Sequence, residues 1–581
     1  MWRFIVGLLA TIGFLALALV GAAVYFAVSG PFGAKTLPSP IVLSLDLRKL
    51  PPEAGSAGWL GLLQPSLDIA DTIDLLDRAA DDPRVAGLFV EIGDSDAGLA
   101  RVQELRQAIT RFRGKGKFAV GFAESLGGDA SHFADYYLAA SLEQIWLQPS
   151  GGFSVAGIAV EAPFLKGALD RLGVQVEGGK RYEYKSAPEM FTEAGFSRPA
   201  RENLQQLLDS LYGQFIDQVA REREIPAEWL RGLIDGVPYD SRRALAERLV
   251  DKLGYRADAL AEVRRRAGDR RDPVRLEDYA ADDARPRPSG EVIALVRASG
   301  AIVSGSGESD PLGDESLATA DKVVDALDEA SRASDVRAIV LRVDSPGGTY
   351  PAADAIAEAV ARARSTGKPI VVSMGDIAAS GGYLASVRAD AIVAQPTTIT
   401  GSIGVFTMWP VAAELLRSLG IQAEKVSAGA NAGMLSVFRP PTPAQKAAID
   451  RELDRIYADF TRQVGEARGL DGARLDAAAR GRVFSGIDAK RAGLVDELGG
   501  LPLAVAIAKA KAGIDEVKPV QLRRYPAESN RWERLADRLL GMVSTRTELR
   551  MPPEMREALA RLGVPTHPGD VRLPPLPPLW R

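Results

Sequence analysis

The sequence predicts an α/β protein made of two tandem copies of one domain behind an N-terminal transmembrane helix. Three observations predict this. The chain opens on a long uncharged apolar run, its strand-like segments alternate with amphipathic helical ones, and its two halves repeat at a spacing of about 250 residues.

The apolar run is Phe4 to Val28, preceded by Arg3. At about 1.5 Å per residue it forms about 37 Å of helix, enough to cross a hydrocarbon core of about 30 Å with some tilt. A cleavable leader has a shorter apolar region, and the small residues Gly21 to Ala23 lie inside this run instead of after it. Arg3 on the short side predicts an N-terminus in the cytoplasm and the rest of the chain outside, which is the periplasm if the source is a Gram-negative bacterium.

Beyond the anchor, IVLSLDL (Ile41 to Leu47) and VIALVRASGAIV (Val292 to Val303) read as buried strands. Amphipathic helices follow from Ala70 and Ala320 and lead into the strands AGLFVEI (Ala86 to Ile92) and RAIVLRV (Arg337 to Val343). The next helices, Gln103 to Phe112 and Ala353 to Arg364, end at Gly116-Lys117 and Gly367-Lys368, where strands FAVGF and IVVSM begin. The matched positions lie 250 or 251 residues apart, and QIWLQP (Gln144 to Pro149) matches AIVAQP (Ala391 to Pro396) at 247. Such a steady offset is a tandem duplication of βαβ units. The expected division is an anchor over 1–30, a first domain over 31–265, a charged linker over 266–289, a second domain over 290–524 and a Pro-rich tail over 525–581.

Composition narrows the chemistry. The 581 residues include no Cys and two His, His132 and His567, which removes disulfide scaffolds, thiol catalysis and thiolate zinc sites, and makes a His-rich metal centre implausible. No cofactor and no metal is implied. A net charge of −5 gives no bulk attraction to nucleic acid. Ser, Thr, Lys, Tyr or carboxylates must do the work.

The copies differ where chemistry would sit. In the second, strand IVVSM runs into GDIAASGGY, with Ser380 between Ala379 and Gly381 at a helix opening. Small neighbours there permit a tight turn and close approach of substrate. The 247 offset puts Phe133 at the equivalent position, so the first copy keeps the frame without the hydroxyl. Upstream, RVDSPGG (Arg342 to Gly348) can turn a backbone N–H into the cleft, whereas its counterpart EIGDSDAG (Glu91 to Gly98) lacks the paired glycines. Ser380 needs a base, and burial can bring a lysine from about 10.4 to nearer 7–8. Lys185 in RYEYKSAPEMF stands among Tyr182, Tyr184 and Met190, and the repeat offers no lysine at its counterpart near Asn431 and Ala432. On spacing alone Lys180 and Lys425 are candidates as well.

RVDSPGG, MGDIAASGGY (Met374 to Tyr383), TGSIGVF (Thr400 to Phe406) and YKSA (Tyr184 to Ala187) together resemble the signal peptide peptidase A (protease IV) family in its long, duplicated Gram-negative form. The resemblance implies two tandem crotonase-like (ClpP-like) domains and a Ser–Lys dyad, Ser380 as nucleophile and Lys185 as general base. It further implies an oxyanion hole from the N–H groups of Gly381 and one of Gly347 or Gly348, Gly348 being favoured, and a lysine-orienting hydroxyl on Ser402. Two departures stand out. Asp344 replaces a frequent Asn and adds a negative charge near the oxyanion side, and Pro188-Glu189-Met190 replaces the usual residues after KSA.

The expected function is a membrane-anchored serine endopeptidase degrading hydrophobic peptides such as cleaved signal peptides, with peptide substrates, the inner membrane and a homotetramer as partners and no nucleic acid. The alternative is a non-catalytic scaffold that binds peptides at the membrane. An acyl-CoA enzyme on the same fold ranks last, because an extracytoplasmic site has no CoA.

Overall fold

The computed structural model describes residues 37, 39–53, 67–93, 98–128, 133–281, 290–305 and 317–526. The expected transmembrane helix, the tail from 527 and His132 lie outside the described residues. Among those described, no helix is long and apolar enough to cross a membrane.

The first unit runs β1 (Ile41–Asp46), α1 (Ile69–Asp81), β2 (Val85–Ile92), α2 (Leu99–Gly114), β3 (Phe118–Ala123), α3 (Phe133–Ala139) and β4 (Gln144–Leu147). The chain then leaves the sheet through β5 (Gln175–Lys180) and the long α4 (Arg198–Glu222), and returns through β6 (Lys252–Leu253), α5 (Arg256–Ala267), β7 (Val274–Arg275) and α6 (Leu276–Ala281). Its sheet is parallel, in the order β6-β4-β3-β2-β1-β7. Residues 274–281, read from the sequence as linker, belong to this unit: β7 pairs with β1, and Leu276 and Tyr279 are buried in its core. Two residues of strand are too short to carry a periodic signal, so only the finished sheet recruits them.

The second unit repeats the plan with β8 (Glu291–Ser299), β9 (Ala301–Val303), α7 (Ala320–Arg332), β10 (Val336–Ser345), α8 (Tyr350–Ser365), β11 (Ile370–Ala379), α9 (Gly381–Ser386), β12 (Ala391–Ala394), β13 (Ile399–Gly401) and β14 (Phe406–Val411). After them come α10 (Pro443–Arg468), β15 (Val483–Ser485), β16 (Glu497–Leu498), α11 (Leu501–Lys511) and β17 (Val520–Tyr525). Strands β16-β12-β11-β10-β8-β17 match the first sheet one for one, and β13 extends the far end of β11 with β15 antiparallel beside it. β2 and β10 are buried along almost their whole length because helices cover both faces of a parallel sheet. The covering helices place Val323, Ala326, Leu327 and Ala330 of α7, and Ile73, Leu76 and Ala80 of α1, on one stripe at three- and four-residue spacing.

Fine contacts repeat too. The Tyr136 hydroxyl donates to the Leu249 carbonyl and that of Tyr383 to Leu494, both at 3.0 Å. Lys117 caps the carbonyls of Asp82 and Val85, as Lys368 caps those of Ala330 and Ala333. The hydroxyls and amines of these pairs are buried or half-buried and need partners, which fixes the same residues in both copies.

The units are joined in three ways. β5 pairs antiparallel with β14, from Lys180 opposite Phe406 to Gln175 opposite Val411. Each unit caps a helix of the other: Asp376 accepts the Arg101 N–H of α2 at 2.9 Å, and Glu104 accepts the Leu501 N–H of α11 at 3.0 Å. Between them Arg342 is buried with Glu53 at 2.5 Å and Glu104 at 2.7 Å. Burial raises Glu53, but the Arg342 charge prevails and holds it below the usual carboxylate range, while burial prevails at Glu104 and holds it above.

Candidate active site

Ser380 sits between β11 and α9 with φ 54° and ψ −115°, a backbone conformation that a residue with a side chain adopts only when its surroundings enforce it. Its N–H donates to the Gly401 carbonyl of β13 at 2.8 Å, and its own carbonyl accepts the Leu384 N–H at 3.0 Å. The strained turn is thus pinned from both sides, and the side chain is 7% exposed.

The glycines of the SPGG turn are required by crowding. A Cβ on Gly347, whose φ is 110°, would stand 2.8 Å from the Gly381 nitrogen and 2.9 Å from the Ser380 Cβ. A Cβ on Gly381 would stand 3.0 Å from the Gly348 nitrogen. Ile302 of β9 donates to the Gly347 carbonyl at 2.8 Å and accepts the Thr349 N–H at 2.9 Å, the pattern of a parallel bridge to Gly348. In that pattern the Gly348 N–H points to the edge opposite Ile302. The Gly348 N–H is thus left free of Ile302, beside Gly381.

Lys185 arrives from the first unit. The β5–β14 ladder is prolonged by the Arg181 N–H on the Val405 carbonyl at 2.9 Å, which carries residues 181–185 alongside 402–405. Its Nζ lies 3.0 Å from the Ser380 Oγ, 2.9 Å from the Ser402 Oγ and 3.0 Å from the Ser402 carbonyl. The side chain is 3% exposed, and among the described residues no carboxylate pairs with it. Burial alone lowers its pKa from the ordinary 10.5 to about 7. Neighbouring residues are tied down around it: Glu183 pairs with Arg480 at 2.9 Å, and the Arg482 guanidinium lies 3.6 Å over the Tyr184 ring.

The other sequence candidates are placed elsewhere. Lys180 pairs with the buried carboxylate of Glu189 at 2.7 Å, and Lys425 is exposed, bonded to the Ala432 carbonyl. Phe133 heads α3 and packs edge-on against Phe215 with ring centroids 5.3 Å apart, so an aromatic contact occupies the first copy's counterpart of Ser380. Two contributors were missed in the sequence. Gly404 and Gly481 form the walls against Lys185: a Cβ on Gly404 would stand 3.2 Å from the lysine Cδ, and one on Gly481 2.7 Å from its Cα. Gly404 lies inside the TGSIG motif and could have been found there; Gly481 carries no local signal.

Peptidase family S49 matches residues 125–269 and 362–515, one stretch in each unit. Over 505 residues the chain is 32% identical to "Protease 4" of Salmonella typhi, an alignment covering 84% of this chain and 78% of that protein. It is 28% identical over 513 residues to "Protease 4" of Haemophilus influenzae, covering 85% and 80%. It is 30% identical over 453 residues to "Serine protease SPPA, chloroplastic" of Arabidopsis thaliana, covering 77% of this chain and 66% of the relative. With a match in each unit and relatives that share both, the chain belongs to peptidase family S49, as a long duplicated protease.

Proposed function

We propose that this protein is a membrane-anchored serine endopeptidase in which Ser380 is the nucleophile and Lys185 the general base. The observation that supports this most directly is the buried Lys185 amine, with no carboxylate partner among the described residues, 3.0 Å from the Ser380 hydroxyl. Neutral Lys185 takes the Ser380 proton as Oγ attacks a peptide carbonyl, and returns it to the leaving amine. Water activated by the same amine then releases the acyl-enzyme. The Gly348 and Gly381 N–H groups stabilise the oxyanion. The Ser402 hydroxyl and carbonyl hold the amine on its target.

Each unit is assigned the crotonase-like (ClpP-like) form of α/β fold. Phe4 to Val28 anchors the chain in the inner membrane with the catalytic part in the periplasm, where apolar peptides such as cleaved signal peptides are its substrates. Self-association, which we assign as a homotetramer, is supported only in that apolar residues are left uncovered on one chain, with Leu419 65% exposed, Val426 fully exposed, and Leu172, Leu435 and Phe438 about half exposed.

The test is covalent labelling of the full chain in detergent with a fluorophosphonate across pH 6–9. Expected are a single adduct on Ser380, none in Ser380→Ala, and labelling in Lys185→Ala slower by about 10³-fold or more. A folded wild-type chain that takes no label at Ser380 would instead be the non-catalytic peptide-binding scaffold.

A further inference from the structure

Strands β10 and β11 lie side by side and end at the two halves of the candidate site. They pair in register to Val343 opposite Met374, and pairing resumes at Ser345 opposite Ala378. One residue, Asp344, therefore faces three, Gly375 to Ile377, in a bulge placed directly ahead of both functional turns. The Asp344 side chain fills it. Its Oδ1 accepts the Ile377 N–H at 3.0 Å, and a Cβ on Gly375 would stand 2.9 Å from the Asp344 Cβ. Its backbone carbonyl accepts the Gly300 N–H at 2.8 Å, which ties the same residue to the turn between β8 and β9.

The middle residue of the bulge faces outward. Asp376 reaches the first unit, accepts the Arg101 N–H and pairs with the Arg101 guanidinium. The helix it caps begins at Gly98, which has no side chain to do so, and a Cβ there would collide with the Asp376 carboxylate. The charged groups around Asp344 are thus Asp376 on β11, Arg101 on α2 and Glu53 in the segment after β1. Arg342 stands two residues back on β10, with Glu104 as its second partner.

We propose that Asp344 is a positioning residue: its carboxyl, accepting the Ile377 N–H inside the bulge, fixes the spacing between Ser380 and the oxyanion N–H groups, and a negative charge on it weakens catalysis. The proposal rests on the peptidase reading above. Burial, then the Glu53 and Asp376 carboxylates, push this carboxyl up to about 7 against the pull of Arg101. Below that pH the bulge is closed by a neutral acceptor. Above it, a negative charge stands three residues ahead of Gly347-Gly348, where negative charge must develop on the substrate. That charge opposes the developing oxyanion and slows the step. The pH dependence of kcat then carries a partial fall above neutrality, superposed on the rise that Lys185 deprotonation produces.

The experiment measures kcat and KM of the full chain on a fluorogenic apolar peptide from pH 5.5 to 9.5, for wild type, Asp344→Asn and Asp344→Ala. Asp344→Asn keeps the acceptor for the Ile377 N–H without a titratable charge. It is expected to hold kcat at pH 6.5 within about twofold and to lose the alkaline fall, leaving only the Lys185 rise. Asp344→Ala is expected to lower kcat about tenfold across the range with KM unchanged, because an empty bulge lets the two turns drift. Asn and wild-type profiles that coincide, or a folded Asn variant inactive at pH 6.5, overturn the proposal. Should the Ala variant fail to fold, the Asn profile decides alone. Absence of fluorophosphonate label on Ser380 would overturn the peptidase reading instead, so the two failures are told apart.

Discussion

Replacing Lys185 by Met should make the protein more stable at neutral pH while abolishing activity. The amine is buried, with no carboxylate beside it among the described residues, and its pKa falls from 10.5 to about 7 on folding. At about 1.36 kcal/mol per pH unit, that difference is a cost of about 5 kcal/mol, fully expressed below pH 7. Lys185 also makes three hydrogen bonds, to the Ser380 hydroxyl and to the Ser402 hydroxyl and carbonyl, each worth about 1 kcal/mol net. Met keeps the stem volume and loses both terms, for a net gain of about 2 kcal/mol at pH 7, or about 4–8 °C in Tm for a domain of this size. The sign with pH follows from proton counts. Between pH 7 and 10.5 the unfolded lysine is protonated and the folded one is not, so wild-type stability rises with pH. Met has no such dependence, so its advantage shrinks by about 1.4 kcal/mol per pH unit above pH 7 and reverses near pH 8–9. Urea unfolding of both proteins at pH 6, 7, 8 and 9 measures this. A stability difference that stays constant across that range would refute a buried amine neutral at work.

Gly481→Ala should reduce kcat at least about tenfold with KM within twofold, because the new methyl, at φ 86°, meets the Lys185 backbone and shifts the amine; steady-state kinetics on an apolar peptide reads the split. Arg342→Met leaves the Glu53 and Glu104 carboxylates buried without their cation and should cost about 3–5 kcal/mol at pH 7 in urea unfolding. Part of that loss should return toward pH 5 as the stranded carboxylates take up protons; a loss under about 1 kcal/mol would mean that the units are not held together through this triad.

The duplication was legible because βαβ units announce themselves locally. Apolar strands and one-sided helices recur along the chain, and a constant offset needs only alignment of the chain with itself. The anchor is an expectation from length and composition, and Phe4 to Val28 lies outside the described residues. The site was legible in part for a different reason. Ser380 and Lys185 were found by asking which copy lacks what the other keeps, and the structure brings the two side chains within hydrogen-bond distance. Lys180 and Lys425 could not be separated from Lys185 on spacing, since burial, which the spacing does not contain, is what distinguishes them. Gly481 and Glu53 carried no local mark for the same reason, and the motif that contains Asp376 gave no sign of its reach to the first unit. Each acts on a partner more than 250 residues away in the chain, so its role exists only after the units have docked.

That docking is also where the duplication acquires its meaning. On the proposed dyad, a strained Ser380 turn without a neighbouring base would be an inert tight loop, and a buried Lys185 without its target would be a destabilising amine. Neither copy alone has a reason to keep its half. What unites them is the short β5–β14 ribbon, because its register, Lys180 opposite Phe406, decides whether the lysine five residues on falls beside Ser402 or one residue away from it. A slip by a single position would turn the alternate side chains to the opposite face. The two sheets could remain intact through such a slip, so the sheets account for stability, whereas the register of this ribbon governs whether the amine reaches the hydroxyl.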